Sequence, residues 1–146
     1  MTDAPRYASS LLRSFIFLCD LSTEQECLDR GLFGTNAGEN QHRHYSKLAV
    51  GDRLFLYNFE LGTMRGPFTA LTACVNNLEP TAWKRGRRSF PWQVRVEGSM
   101  ASKGTARADD FAAFLPLAQT RVGLLPPPEL TDEQSDRLLG LLKAPT

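Results

Sequence analysis

A tryptophan and a run of cationic side chains stand next to each other in the second half of the sequence. Trp83 is followed within five residues by four basic residues, Lys84, Arg85, Arg87 and Arg88. Cationic groups bind phosphate oxygens, and an aromatic ring stacks on a nucleobase at about 1–3 kcal/mol per base. The pattern predicts that the four cations hold a nucleic-acid backbone beside a stacking indole. Alternatively, Trp83 covers one end of the core and the cations are only solvated.

Polar side chains at strand ends are a second set of candidates. Asp20 and Asn58 each close an apolar run, and their oxygens can accept a hydrogen bond from a base amino group. The Asn58 amide can also donate. Asp20 could instead cap the following helix together with Ser22, and Asn58 could serve only as a strand-end turn residue. Arg95, on the outer face of a predicted strand, could pair with a phosphate or with an acidic neighbour such as Glu97.

The cysteines and histidines give little support for catalysis or metal binding. Cys19, Cys27 and Cys74 form no Cys-x-x-Cys pair, and His42 and His44 have no cysteine nearby. We therefore expect reduced, buried thiols, no structural metal and no cofactor. Cys19 with one of the histidines is a conceivable nucleophile and base, but the spacing matches no signature. Binding is favoured over catalysis.

Bulk properties indicate one ordinary globular domain. The chain has 146 residues, 42% apolar and 23% charged, with a formal net charge of +1. We expect residues 1–13 to be a lead-in and residues 14–146 to form a single domain. With this net charge, the domain lacks the basic character of proteins that bind nucleic-acid duplexes tightly. No long apolar run or signal sequence is evident, so we expect a cytoplasmic protein without membrane association.

Elements that would position these residues can be read from hydrophobic alternation and capping patterns. A capped helix should begin after Ser22 and end at Gly31, and a second helix should follow Thr131. Four strands are predicted, two from short apolar runs at Ser14–Cys19 and Arg53–Asn58 and two from alternation at Gly66–Val75 and Phe90–Val96. This order predicts an α+β fold with a small curled sheet or barrel.

Several ordered motifs resemble one known family. They are FIFLCDLSTEQECLDRGLFG, GDRLFLYNFELGTMRGPFTA, LEPTAW and FPWQVRV, and together they span roughly Ser14 to Val96. This set is similar to the development and cell death (DCD) domain, which looks like a member of the PUA-like group with the YTH and EVE domains. The resemblance implies a small β-barrel of mostly antiparallel strands flanked by helices.

The resemblance also implies a site, because several PUA-like relatives bind RNA or take a modified base into an aromatic pocket. The two ring positions of the YTH pocket fall on Phe33 and Trp83, and its polar base contacts fall near Cys19 and Asp20. The residues that follow the first ring are Gly34, Thr35 and Asn36. From the residues alone, packing of Phe33 into the core at the end of the helix is favoured, and the resemblance makes stacking on a guest an equal alternative.

The sequence hypothesis is therefore a nucleic-acid-binding module, for RNA or DNA, that accommodates one extruded base between Phe33 and Trp83. Asp20 and Asn58 would read the base edge. Two alternatives stay open, a protein-interaction scaffold and a ribonuclease of the kind that ASCH-like relatives resemble.

Overall fold

The computed structural model describes residues 12–35, 44–83, 90–97 and 104–143. The strands in these ranges are β1 (Ser14–Cys19), β2 (Leu32–Thr35), β3 (Arg53–Asn58), β4 (Thr63–Ala70), β5 (Val75–Asn76), β6 (Trp92–Glu97), β7 (Gly104–Arg107), β8 (Ala118–Thr120), β9 (Gly123–Leu125) and β10 (Glu129–Leu130). The helices with both ends in these ranges are α1 (Glu24–Arg30), α2 (Ala108–Phe111) and α3 (Asp132–Lys143). Among the described residues, no helix is both long enough and apolar enough to span a bilayer.

Local sequence accounts for the first strand and helix. The aromatic run of β1 is almost entirely buried, as expected for an apolar strand in a sheet. Asp20 follows it, and its Oδ1 accepts hydrogen bonds from the backbone N–H groups of Ser22 and Thr23, just ahead of α1. Gly31 ends the helix in the left-handed conformation with φ of 62°. The predicted helix is confirmed, with Asp20 rather than Ser22 accepting the capping bonds.

A second predicted cap is confirmed at the start of α3. The Gln134 backbone N–H donates to Thr131 Oγ1 at 3.1 Å, and the Thr131 backbone N–H donates to Gln134 Oε1 at 2.9 Å. These reciprocal bonds satisfy two backbone donors at the helix end. Helix α3 buries Leu138 and Leu142 in the second of two apolar clusters.

One mixed sheet organises the domain. Its strand order is β10-β1-β3-β4-β6-β2, with β7 added to β4 and β5 added to β6, while β8 and β9 form a separate hairpin. Among the described strands, β1 and β3 are the pair that runs in parallel, and α1 and β2 lie between them in the chain. The α+β class and the mostly antiparallel sheet are thereby confirmed.

The expected barrel is wrong, because the sheet is not closed. Within the described residues, β1 and β2 stand at or near opposite ends of the strand order and do not pair. Strand β10 takes only the first part of the outer edge of β1, at Ser14 and Phe15, and Ile16 N–H reaches Pro128 O. No strand of the described ranges pairs with the remaining part of this edge of β1.

Two further elements differ from the sequence expectation. No strand was predicted directly after Gly31, but Leu32–Thr35 forms β2 and pairs with β6. The strand expected at Gly66–Val75 lies at Thr63–Ala70. Long-range pairing decides both, since β2 meets a strand about sixty residues away along the sequence.

Candidate functional site

On the outer edge of β1, the backbone N–H and C=O of one residue have no partner among the described residues. Arg53 N–H donates to Arg13 O, and Phe59 N–H donates to Cys19 O. The backbone N–H and C=O groups of the odd-numbered residues of β1 therefore point toward β3. Backbone groups alternate in direction along a strand, so Leu18 N–H and C=O face the outer edge, as those of Ile16 do. Ile16 N–H donates to Pro128 O, and Ile16 C=O accepts from the Tyr45 hydroxyl. Within the described ranges, Leu18 has no such partner.

Strand β2 also has one residue whose backbone N–H and C=O point away from its partner strand. Val96 N–H donates to Gly31 O, so Gly31, Phe33 and Thr35 form the hydrogen-bonded pairs with β6. The same alternation directs Gly34 N–H and C=O away from β6. No described residue bonds them. The two free strand edges therefore each offer one donor and one acceptor.

A cavity of about 360 Å³ lies between these two edges. This volume is within the range of small-ligand sites. The end of β1 contributes Leu18, Cys19 and Asp20, and the end of β2 contributes Gly34 and Thr35. Further lining residues are Tyr45, Phe59, Phe90, Thr120, Arg121, Val122 and Leu125. Three aromatic residues thus line a cavity whose lining also includes Leu18 and Gly34, the two residues whose outward backbone groups have no partner among the described residues.

Trp83 supports this cavity from behind. Its ring meets Phe90 edge-on, with centroids 5.1 Å apart and planes at 89°. A Cβ at Gly34 would lie 2.7 Å from Trp83 Cη2 and 2.8 Å from Phe90 Cβ. The absence of a side chain at Gly34 therefore lets the indole pack directly against β2 and hold Phe90 at the cavity.

The rings predicted to sandwich a guest occupy other positions. Phe33 is fully buried and packs edge-on against Phe68, with centroids 4.9 Å apart. Trp83 is 2% exposed and belongs to the same core cluster. Neither lines the cavity described above. The expected Phe33–Trp83 sandwich is corrected accordingly, because alternation on β2 directs the Phe33 side chain into the core.

Asp20 and Asn58 are both engaged within the protein. Asp20 Oδ1 accepts four hydrogen bonds from Ser22 and Thr23, at 2.7–3.1 Å, although the residue lines the cavity. Asn58 is fully buried, and its Oδ1 accepts from the N–H groups of Glu60 and Leu61. Its Nδ2 donates to Glu24. The observed contacts are those of the capping and turn roles, and Asn58 lies outside the cavity lining.

The structure describes only one of the phosphate-binding residues predicted from the sequence. Lys84, Arg85, Arg87 and Arg88 lie outside the described residues, as does Asn36. Arg95 forms an ion pair with Glu79 at 2.7 Å rather than with Glu97. The cation that the structure does place in the cavity lining is Arg121, and it forms no ion pair with any described residue.

Comparison of the sequence with known protein families identifies its family. Residues 13–123 match the Development and cell death domain. The chain belongs to the DCD family. The chain is 37% identical over 86 residues to the B2 protein of Daucus carota, and 35% identical over 86 residues to the DCD domain-containing protein NRP-B of Glycine max. Each alignment covers 56% of this chain, but only 41% and 26% of those longer proteins.

Solved YTH domains are similar in fold to this DCD domain. The Pho92 YTH domain in complex with m6A gives a TM-score of 0.65 at 13% identity, covering 92% of this chain and 85% of that chain. The YTH domain of Zygosaccharomyces rouxii MRB1, in complex with N6-methyladenosine RNA, gives 0.61 at 15% identity, covering 89% and 86%. At these identities the likeness concerns the fold.

Four lining residues of the DCD domain were not singled out by the sequence hypothesis. Tyr45, Phe59, Phe90 and Arg121 reach the cavity from four separate segments, and no short motif joins them. Phe90 offered the clearest signal, because it directly precedes the family strand PWQVR. Its alternation with Trp92 and Val94 indicated a core position instead.

The cysteines of the domain are protonated and inert at neutral pH. Burial raises the pKa of the Cys27 and Cys74 thiols to about 12, and it raises the pKa of Cys19 still further. The Trp83 indole N–H acts in the opposite direction on the Cys27 pKa, although it forms no hydrogen bond of normal geometry. A thiol in this state is a poor nucleophile. No group of three or more metal-ligating side chains occurs among the described residues.

These thiols make folding stability sensitive to alkaline pH. Their folded pKa values exceed the ordinary value of 9, so the unfolded chain loses its thiol protons first. Their contribution is complete below about pH 9 and is lost toward pH 12, by about 1.4 kcal/mol per thiol per pH unit. Urea unfolding under reducing conditions at pH 8 and pH 10 measures this loss. A Cys74→Ala variant should show a smaller loss, and an equal loss would contradict the assignment.

Proposed function

We propose that this DCD domain binds single-stranded RNA and holds one flat base in the cavity between β1 and β2. The observation that carries the proposal is the pair of free strand edges, which leave the peptide groups of Leu18 and Gly34 unbonded among the described residues in a cavity of about 360 Å³. Buried peptide groups normally have partners, so a site that leaves two of them open is suited to a guest with its own donors and acceptors.

Base recognition would combine these peptide groups with aromatic contact. Each peptide group offers a donor beside an acceptor, and the edge of a nucleobase also alternates donors and acceptors. Phe90 is held by Trp83 and packs beside the guest, while Phe59 and Tyr45 close other sides. Aromatic contact with a base is worth about 1–3 kcal/mol, which can offset the few kcal/mol that base extrusion costs.

The lining also suits a base that carries a methyl group. Leu18, Val122 and Leu125 supply apolar side chains, and the Asp20 carboxylate is occupied by its own helix cap. A methyl group transferred from water to such a lining gains about 0.8 kcal/mol. The YTH domains of similar fold are bound to N6-methyladenosine, which supports this modification as the first to test.

Fluorescence anisotropy tests the proposal with a labelled short RNA that carries adenine or N6-methyladenosine at its centre. We expect binding that weakens with added salt, because phosphate contacts release counterions. Phe90→Ala should weaken binding about 5- to 150-fold, the equivalent of about 1–3 kcal/mol.

Phe114→Ala is the matched control, because Phe114 is a half-buried ring that lies outside the cavity lining and contacts Arg137. Binding unaffected by Phe90→Ala, or weakened equally by both variants, would refute the proposed site. Absence of RNA binding would refute the proposal and favour a protein partner, and RNA cleavage during the titration would favour a ribonuclease. The same oligonucleotide made as DNA tests the preference for RNA.

A further inference from the structure

A second cavity, of about 570 Å³, adjoins the first. Leu18, Tyr45, Thr120 and Leu125 line both cavities, so the two spaces share a common wall. The second cavity extends from that wall along β1 toward β10, on the side where Ile16 lies. Sequence patterns do not reveal this cavity, because its walls come from three segments that are distant along the chain.

The second cavity has the lining of a stacking surface rather than of a polar pocket. Four prolines line it, Pro116, Pro126, Pro127 and Pro128. Proline rings are apolar and conformationally restricted, and they carry no backbone donor. Pro128 O accepts from Ile16 N–H at 2.9 Å, which fixes this proline wall to the sheet. The wall therefore offers apolar contact to a flat group without competing hydrogen bonds.

A cation stands where the two cavities meet. Thr120 lines both cavities, and Arg121 follows it at the tip of the β8–β9 hairpin and lines the first. Thr120 Oγ1 accepts from Val122 N–H and donates to Gly123 O, which holds the tip in a defined turn. Arg121 is exposed and forms no ion pair with any described residue. Its charge is available to an anion that passes between the cavities.

We propose that the two cavities together bind two consecutive nucleotides of one RNA strand. The first cavity takes the recognised base, Arg121 binds the phosphate that links the two nucleotides, and the neighbouring base packs on the proline wall of the second cavity. This order of apolar site, cation and apolar site matches the base–phosphate–base order of a nucleic-acid strand. The inference rests on the proposed function, and it adds a second base position to it.

An abasic substitution tests the second position with the unaltered protein. The RNA of the preceding section is prepared with an abasic residue on the 5′ side or on the 3′ side of the central nucleotide. We expect one of these two RNAs to bind at least about 5-fold more weakly, because it lacks the second stacking base. If both bind as tightly as the intact RNA while Phe90→Ala still weakens binding, the second position is refuted and the proposed function stands.

A cavity-filling variant assigns that loss to the second cavity. Ala118 is exposed on β8 and lines only the second cavity, so Ala118→Trp should fill part of it. We expect weaker binding of the intact RNA and little further loss with the abasic RNA, since both changes remove the same contact. Ala113→Trp is the control, because Ala113 is exposed and lies outside both linings. Equal abasic losses in Ala118→Trp and the unaltered protein would place the second base elsewhere and overturn the assignment.

The linking phosphate is tested by salt dependence. Arg121→Gln should reduce the slope of log Kd against log salt concentration by about 1, the value for one lost phosphate contact. An unchanged slope would remove Arg121 from the proposal. If no RNA binds the unaltered protein at any salt concentration, the proposed function and this inference fail together.

Discussion

Replacement of Trp83 by alanine is expected to destabilise the domain by about 3–5 kcal/mol, as for other large aromatic side chains in cores. Trp83 is 2% exposed and fills the space between Gly34, Phe90 and helix α1. Its backbone N–H donates to Glu26 on that helix at 2.8 Å. Removal of the ring leaves a cavity that the rigid surroundings cannot fill, and it also frees Phe90 to leave the proposed RNA site.

Chemical denaturation and RNA titration of the same variants separate the two effects. Trp83→Phe should retain most of the stability and most of the binding, because a smaller ring can still contact Phe90. Trp92→Ala serves as the tryptophan control, since Trp92 is only partly buried. Full stability of Trp83→Ala combined with loss of RNA binding would show that the indole contacts the guest directly, as the sequence resemblance implied.

Replacement of Gly34 by alanine is expected to have the second largest effect, about 1–3 kcal/mol of lost stability together with weaker RNA binding. The new Cβ would stand 2.7 Å from Trp83 Cη2 and 2.8 Å from Phe90 Cβ. Real Cβ atoms do not approach other atoms so closely, so the indole, Phe90 or β2 must move. Any of these movements changes the cavity, because Gly34 and Phe90 line it.

Gly140→Ala is the matched control for this substitution. Gly140 lies on the exposed side of α3, and a Cβ there meets nothing within 4 Å. Alanine should stabilise the helix by up to about 1 kcal/mol and leave RNA binding unchanged. Both variants are measured by urea unfolding and by anisotropy. A Gly34→Ala protein with unaltered stability and affinity would contradict the close packing of Trp83 on β2.

The sequence predicted elements whose cause is local and missed those that depend on distant partners. The aromatic run of β1, the α1 helix with its Gly31 terminus, and the Thr131–Gln134 cap all follow from neighbouring residues. Strand β2 was missed, because its sequence of four residues becomes a strand only by pairing with β6. The barrel was also wrong, since sequence patterns do not reveal whether two edge strands meet.

The candidate site divides in the same way. Motif order located the ends of β1 and β2, including Cys19, Asp20, Gly34 and Thr35, where the cavity lies. The aromatic assignments could not be made from the sequence, because the two possible faces of Phe33 depend on the register of β2. Phe59, Phe90 and Arg121 come from separate segments, and only the three-dimensional structure brings them to one place.

The Tyr45 hydroxyl on Ile16 C=O has a consequence for how this protein behaves in concentrated solution. An unpaired strand is usually a template on which another copy can add, and it promotes aggregation. Here β10 and Tyr45 occupy the first part of the outer edge of β1. The β8–β9 hairpin and the end of β1 line the same cavity beside the remaining part. Under the proposed function, the base would lie in that cavity. A bound base would then cover the backbone groups to which a second copy of the domain could otherwise add a strand.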